Sequence, residues 1–205
     1  MAAKHELTRD DVIAMADYAR ERKDRRRALV AAKRHRRLAV GPDCTFYFEN
    51  YETMWNQVHE MLFIEKGGED QIADELRAYN PLIPKGRELV ATVMFEIDDP
   101  ARRAVVLAML GGVEETAFLR LGGETIRGGV PEADVERTSA AGKASSVQFI
   151  HFPFTDQQVA TFRQAGATGG ATGGAEIVVG FTHPEYAHTA VLPEAVRAAL
   201  AEDFD

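Results

Sequence analysis

Carboxylates, arginines and histidines are the side chains whose spacing in this sequence suggests chemistry. In residues 44–50, Cys44, Phe46 and Phe48 point one way along an alternating run, and Thr45, Tyr47 and Glu49 the other. Gln57 and Glu60 follow one and two turns into the next helical stretch. Thr92 and Glu96 share the polar face of a later strand. Glu49, Gln57, Glu60 and Glu96 can therefore form one acidic layer, with Arg37, or its neighbours Arg34 and Arg36, as counter-charge. Such a layer suits general acid–base work or a metal–carboxylate site. It equally suits a structural Arg–Glu network, because a carboxylate on an apolar stripe, as read for Glu65, needs a partner.

A second group is formed by His183, Glu185 and His188 in one loop, with His151 on a neighbouring strand. Imidazoles with a carboxylate can hold zinc or iron, so a metal ion is the cofactor this group allows. Two surface histidines and one packed histidine is the plainer alternative. Trp55, His59 and Phe63 make a stripe that can stack a ligand but more simply forms a core or subunit contact. Cys44 reads as a small buried apolar residue.

The strong signatures are absent. The sequence has no G-x-x-x-x-G-K-[ST], no G-x-G-x-x-G, no H-E-x-x-H, no G-x-S-x-G and no EF-hand loop. Its one cysteine excludes an internal disulfide and a thiolate metal cage. No run of about 18 apolar residues can span a membrane, and no apolar segment near the start resembles a secretory signal. A cytoplasmic location is expected.

The elements that must position these groups are legible in the periodicity. Residues 7–34 read as a helix, with Thr8 as N-cap, Asp11 as its capping-box partner and Leu7 with Val12 at the staple positions. Its thin apolar stripe (Val12, Ile13, Ala16, Ala19) predicts a helix that leans on another element. Residues 36–40 and 44–50 form a hairpin about Gly41-Pro42-Asp43. Helices at 52–66 and 69–79 follow as a helical hairpin, separated by Gly67-Gly68.

A strand covers 89–97, and Asp99-Pro100 opens a helix that Gly111-Gly112 ends. Further strands are read at 116–121, 147–154, 176–182 and 189–192. Residues 147–154 are apolar on both faces and are expected inside a sheet. Thr155 and Gln158 cap a helix, and another covers 193–204. Residues 122–146 and 166–175, the latter with the string ATGGATGGA, read as flexible loops. The fold class is α+β: a single domain over 1–205, with a sheet of about six strands, mostly antiparallel or mixed, flanked by helices. The N-terminal basic helix is assigned to 1–34.

Charge is unevenly placed. Residues 1–40 carry 12 Lys+Arg against 6 Asp+Glu, whereas 41–205 carry 12 against 26. Residues 18–37 alone hold ten basic and two acidic side chains. Such a stretch can bind an anion or RNA, dock on an acidic face of its own chain or a partner, or simply be a solvated helix face. The net charge of −8 argues against nucleic acid.

Several strings together resemble a bacterial family known as domain of unknown function 3501. They are Arg36-Arg37-Leu38-Ala39-Val40-Gly41-Pro42, then Phe48-Glu49-Asn50 with Thr53, and Gln57-Val58-His59-Glu60-Met61 with Glu65. Glu75-Leu76, Ala78-Tyr79-Asn80-Pro81-Leu82, the strand ending at Glu96 and the stretch Phe181–Tyr186 with His183-Pro184 extend the likeness over nearly the whole chain. The resemblance implies no catalytic assignment. It implies a link to redox or peroxide stress, because members tend to be encoded beside a rubrerythrin-like diiron protein and an iron–sulfur oxidoreductase. The first expectation is therefore a non-catalytic accessory protein that binds a partner from such a system. The second is an enzyme or metal-binding protein using Glu49, Gln57, Glu60 and Glu96 with an arginine. The third is an anion or RNA binder using the basic helix. A homo-oligomer fits any of them.

Overall fold

The computed structural model describes residues 4–130, 143–167 and 176–205. Thr8 opens the first element through its N–H and hydroxyl, which both donate to the Asp11 carboxylate. The element is a single 3-10 turn, Arg9–Asp11. Helix α1 begins only at Met15 and runs to Lys33, so the helix expected over 7–34 is broken. The cause is competition for backbone groups. The Trp55 indole N–H donates to Asp11 O at 2.8 Å, and the Ile13 N–H donates to His59 Nε2 at 3.2 Å.

The hairpin forms as read, with β1 at Arg37–Val40 and β2 at Cys44–Glu49. Gly41 takes φ +72°, and a side chain there would collide with His188 and Tyr186. Asn50 caps α2 (Tyr51–Glu65) by accepting from the Thr53 N–H. Helix α3 covers Glu69–Tyr79. Then come β3 (Glu88–Phe95), α4 (Pro100–Met109, capped by Asp99), β4 (Ala117–Leu121), β5 (Glu124–Arg127) and β6 (Val147–Pro153). Last are α5 (Asp156–Ala167), β7 (Ile177–Phe181), β8 (Thr189–Val191) and α6 (Glu194–Ala201).

The eight strands make two antiparallel four-stranded sheets, ordered β1-β2-β3-β6 and β5-β4-β7-β8. The class is α+β, but the expected single sheet of about six strands is two sheets. The extra strand, β5, lies in the stretch read as loop over 122–146. Within that stretch residues 131–142 lie outside the described residues, as do 168–175 of the glycine-rich insert. Strand β6 stands last in its sheet's order rather than inside it, and Gly129 pairs with His151 along its free edge. Both of its faces are apolar because both are covered. Ile150 and Phe152 enter the core between the sheets, and Phe149 packs with the helical hairpin.

The sheets meet through their inner faces: Phe46 and Phe95 touch Phe181, with the Phe46 and Phe181 ring centroids 5.2 Å apart. Leu107 of α4, Phe162 of α5 and Leu200 of α6 complete this core. A second core lies on the outer face of the first sheet, where Val90 packs with Met54, Val58 and Leu62 of α2, Ile72 of α3 and Tyr18 of α1. Among the described residues no helix is long and apolar enough to cross a membrane.

Candidate functional site

The outer face of the first sheet gathers the polar residues singled out above. Strand register puts Glu49, Val90 and His151 in one row across β2, β3 and β6, and Tyr47, Thr92 and Phe149 in the next. Glu49 is only 5% exposed. Its Oε1 accepts the Thr92 hydroxyl at 2.7 Å, whereas its Oε2 is buried without a hydrogen-bond partner. His151 Nδ1 donates to the Glu88 carboxylate at 2.8 Å, and its Nε2 is likewise buried and unpartnered. A carboxylate behind one imidazole nitrogen fixes the ring and leaves the other nitrogen as an acceptor, the arrangement behind many metal-bound and catalytic histidines. Glu96, further along β3's polar side, accepts the Tyr47 hydroxyl at 2.8 Å.

The remaining members do not join this row, so the single acidic layer divides into separate networks. Gln57 donates to the Tyr79 hydroxyl at 3.2 Å. Glu60 turns towards α1, where it accepts from Arg22 Nε and Nη2, both at 2.8 Å, and from the Tyr18 hydroxyl at 2.7 Å. Glu65 is exposed and accepts from Gln71, rather than sitting in the apolar stripe. Arg37, expected as counter-charge, is exposed on β1. Its neighbour Arg36 is buried instead. It forms an ion pair with Asp203 and donates to the carbonyls of Phe48 (3.0 Å), Glu49 (3.2 Å) and Ala199 (3.3 Å). Alternation along the strand decides between two adjacent arginines, since only one can face inward.

The basic helix docks on an aromatic face that carries one carboxylate. Tyr18 is fully buried against Trp55, His59 and Phe63. The Arg22 and Arg25 guanidinium groups lie over Phe63 and Trp55, at 4.7 and 4.3 Å from the ring centroids. Burial, then the neighbouring Glu60 carboxylate, pushes the Tyr18 phenol up; Arg22 holds the Glu60 carboxyl below its ordinary range. His59 is fully buried, with Nδ1 donating to Trp55 O at 2.7 Å and Nε2 accepting from Ile13, and burial pushes its pKa down. It is a neutral structural imidazole. Cys44 is buried, and burial pushes its thiol up, away from nucleophilic use.

The histidine loop and His151 do not gather into one cluster among the described residues. His151 lies on the outer face of the first sheet. The His183 ring is held between Gly111 O and the Glu185 N–H, both at 3.2 Å, and His188 packs on Tyr186 with centroids 4.6 Å apart. Among the described residues no group of three or more His, Cys, Asp or Glu side chains stands where it could hold a metal ion. Fixing two of these rings by local contacts removes the freedom to converge.

An open groove with apolar walls lies on the helical side. It has a volume of about 520 Å³ and runs between the start of α1, the end of α2 and the start of α3. Val12, Ile13, Met15, Leu62, Phe63 and Ile72 line it, with Lys66 and the Arg9–Glu69 ion pair beside them. No single sequence signal marks it, because its walls come from three elements.

These features define an α+β protein of two packed antiparallel sheets with a helical layer on one of them. The family model described as "Protein of unknown function (DUF3501)" matches residues 6–204, and the chain belongs to that family. A crystal structure of a protein of unknown function from Burkholderia pseudomallei is similar, with a TM-score of 0.85 and 35% sequence identity, covering 97% of this chain and 99% of that one. No curated protein matches the chain.

Proposed function

We propose that this is a non-catalytic accessory protein that binds a partner protein of a redox or iron-dependent system. The observation that carries the reading is the apolar groove beside α1. Most of the acid–base candidates are tied into hydrogen bonds that hold the fold, whereas the groove keeps Ile13, Met15 and Phe63 only partly covered. Its occupant is an acidic amphipathic segment of the partner. Apolar side chains fill the groove, and carboxylates meet Lys66 and the exposed cations of α1, such as Lys23 and Arg26, which make no ion pair among the described residues. The resemblance drawn from the sequence supplies the partners to try, a rubrerythrin-like diiron protein and an iron–sulfur oxidoreductase.

Titration calorimetry of the purified protein against each of the two is the test. One of them is expected to bind, and Met15→Glu, which puts a carboxylate in the groove, is expected to weaken binding by about tenfold or more. Binding of neither, or binding that Met15→Glu leaves unchanged, overturns the reading. A second reading, a metal or substrate site on the outer face of the first sheet, is favoured by the unpartnered Glu49 Oε2 and His151 Nε2. Elemental analysis of protein purified without a His tag tests it. Near one equivalent of zinc or iron, lost in Glu49→Gln, would favour this second reading over the first.

A further inference from the structure

The second sheet turns its own outer face to solvent. On it Phe118 and Arg120 of β4 stand beside Arg127 and Thr125 of β5, with Phe118 opposite Arg127 and Arg120 opposite Thr125. The two arginines are thus diagonal neighbours, with Cα atoms roughly 7–8 Å apart. Both are exposed, and neither makes an ion pair among the described residues. The Arg120 guanidinium lies over the Phe118 ring, 5.6 Å from its centroid, which orients the fork. Two adjacent unpaired cations repel each other. They also stand in the part of the chain, 41–205, where 26 acidic residues outnumber 12 basic ones. An anion between them relieves that repulsion.

The space around them is shaped for more than an anion. A hollow of about 350 Å³ includes Arg120, Thr125 and Arg127 and continues to Glu115, Thr116 and Thr182. Thr116 and Thr182 adjoin each other just beyond the Ala117–Phe181 pair that ends the β4–β7 ladder. The Thr116 hydroxyl already donates to Val113 O at 2.7 Å, and the Thr182 hydroxyl leans on Thr116 O at 3.4 Å. Their oxygens therefore offer lone pairs, as does the Glu115 carboxylate. The hollow has a donor end, Arg120 and Arg127 with the Thr125 hydroxyl, and an acceptor end, Thr116, Thr182 and Glu115.

We propose that this hollow binds a small phosphate monoester whose organic part carries hydroxyl groups. Arg120 and Arg127 hold the phosphoryl oxygens through paired N–H bonds, and Thr125 donates a further one. The ligand's hydroxyls donate to the oxygens of Thr116, Thr182 and Glu115. An anion alone would leave the acceptor end empty, and an uncharged polyol would leave the arginines unpaired.

Titration calorimetry at constant ionic strength with glycerol 3-phosphate, inorganic phosphate and glycerol is the test. Glycerol 3-phosphate is expected to bind, inorganic phosphate more weakly and glycerol not measurably. Arg120→Gln and Arg127→Gln are each expected to weaken glycerol 3-phosphate by about tenfold or more, the loss of a charge-assisted bond pair. Arg127→Lys, which keeps the charge but not the fork, recovers only part of that loss. Thr182→Val is expected to lower the affinity for glycerol 3-phosphate while leaving that for phosphate unchanged. All three substituted side chains are exposed, so unchanged thermal midpoints confirm that the variants fold. No binding of glycerol 3-phosphate at millimolar concentration, or binding indifferent to both Arg→Gln changes, overturns the site. Inorganic phosphate binding as tightly as glycerol 3-phosphate overturns the hydroxyl-bearing ligand. None of these outcomes touches the partner groove, which uses different residues.

Discussion

The two sheets treat charge on their outer faces differently. The first sheet lies partly under α2 and α3, with α1 packed on α2, and there Glu60 pairs with Arg22 and Tyr18, Glu88 with His151 and Glu96 with Tyr47, whereas Arg37 on β1 stands exposed without an ion pair among the described residues. The second sheet leaves Arg120 and Arg127 in water without a carboxylate partner among the described residues. Burial explains the contrast, since a covered charge must be satisfied whereas an exposed one is satisfied by solvent. Paired charges under a helix therefore speak first of structure. Unpaired charges in an open hollow remain available to a ligand. Glu49 Oε2 and His151 Nε2 cross that division, being buried and yet unpartnered.

The largest expected effect comes from the most deeply buried pair. Arg36→Ala strands Asp203 without its cation and is expected to lower stability by about 3–5 kcal/mol in urea unfolding. A loss below about 1 kcal/mol would mean that the covered side tolerates open charges after all. Next comes His59. Its folded pKa lies below the unfolded value of about 6.5, so the unfolded chain binds more protons as pH falls. Its contribution is fully present above that pH and is lost as pH drops from there through the folded pKa. The slope is at most about 1.4 kcal/mol per pH unit. Unfolding of His59→Gln between pH 7 and 5 should show a shallower decline than the unsubstituted protein, and equal slopes would remove His59 from the account.

Two nearly isosteric changes sharpen the contrast within the first sheet's side. Glu60→Gln removes the charge that Arg22 holds at a partly exposed site and is expected to cost about 1 kcal/mol. Glu49→Gln removes a charge with one buried unpartnered oxygen and is expected to raise stability by about 1 kcal/mol in the same urea measurement. Loss of stability in both would show that Glu49 has a partner in solution. The smallest effect belongs to the open face: Arg127→Gln should change stability by no more than about 0.5 kcal/mol. A larger loss would make that arginine structural.

Short-range features were legible in the sequence. The boundaries of α3 agree to the residue, because Gly68 at φ +73° interrupts the chain before it and the amphipathic spacing runs to Tyr79. The hairpin at Gly41 and the Asp99-Pro100 cap are equally local. Strand β5 was not legible: Gly122-Gly123 and then Glu124-Thr125 have loop composition, and Ile126 alone is buried. Its extended form comes from pairing with β4, which propensity does not register. The Trp55–His59–Phe63 stripe could be read as a packing face. That it would stop α1 from starting at Thr8, by capturing backbone groups of Asp11 and Ile13, required the docked helices.

Taken alone, the sequence determined the α+β class, most element boundaries, the polar side of β2 and the uneven charge, since each follows from residue order within a few turns or strand steps. Tertiary structure alone decided that the strands divide into two sheets and that Glu60 serves Arg22, 38 residues earlier, rather than Glu49. It also chose buried Arg36 over Arg37 and set Glu49 and His151 in one row across Val90. These outcomes depend on which faces are covered and in what register strands pair. That is a competition among long-range contacts, whose result no local pattern of residues encodes.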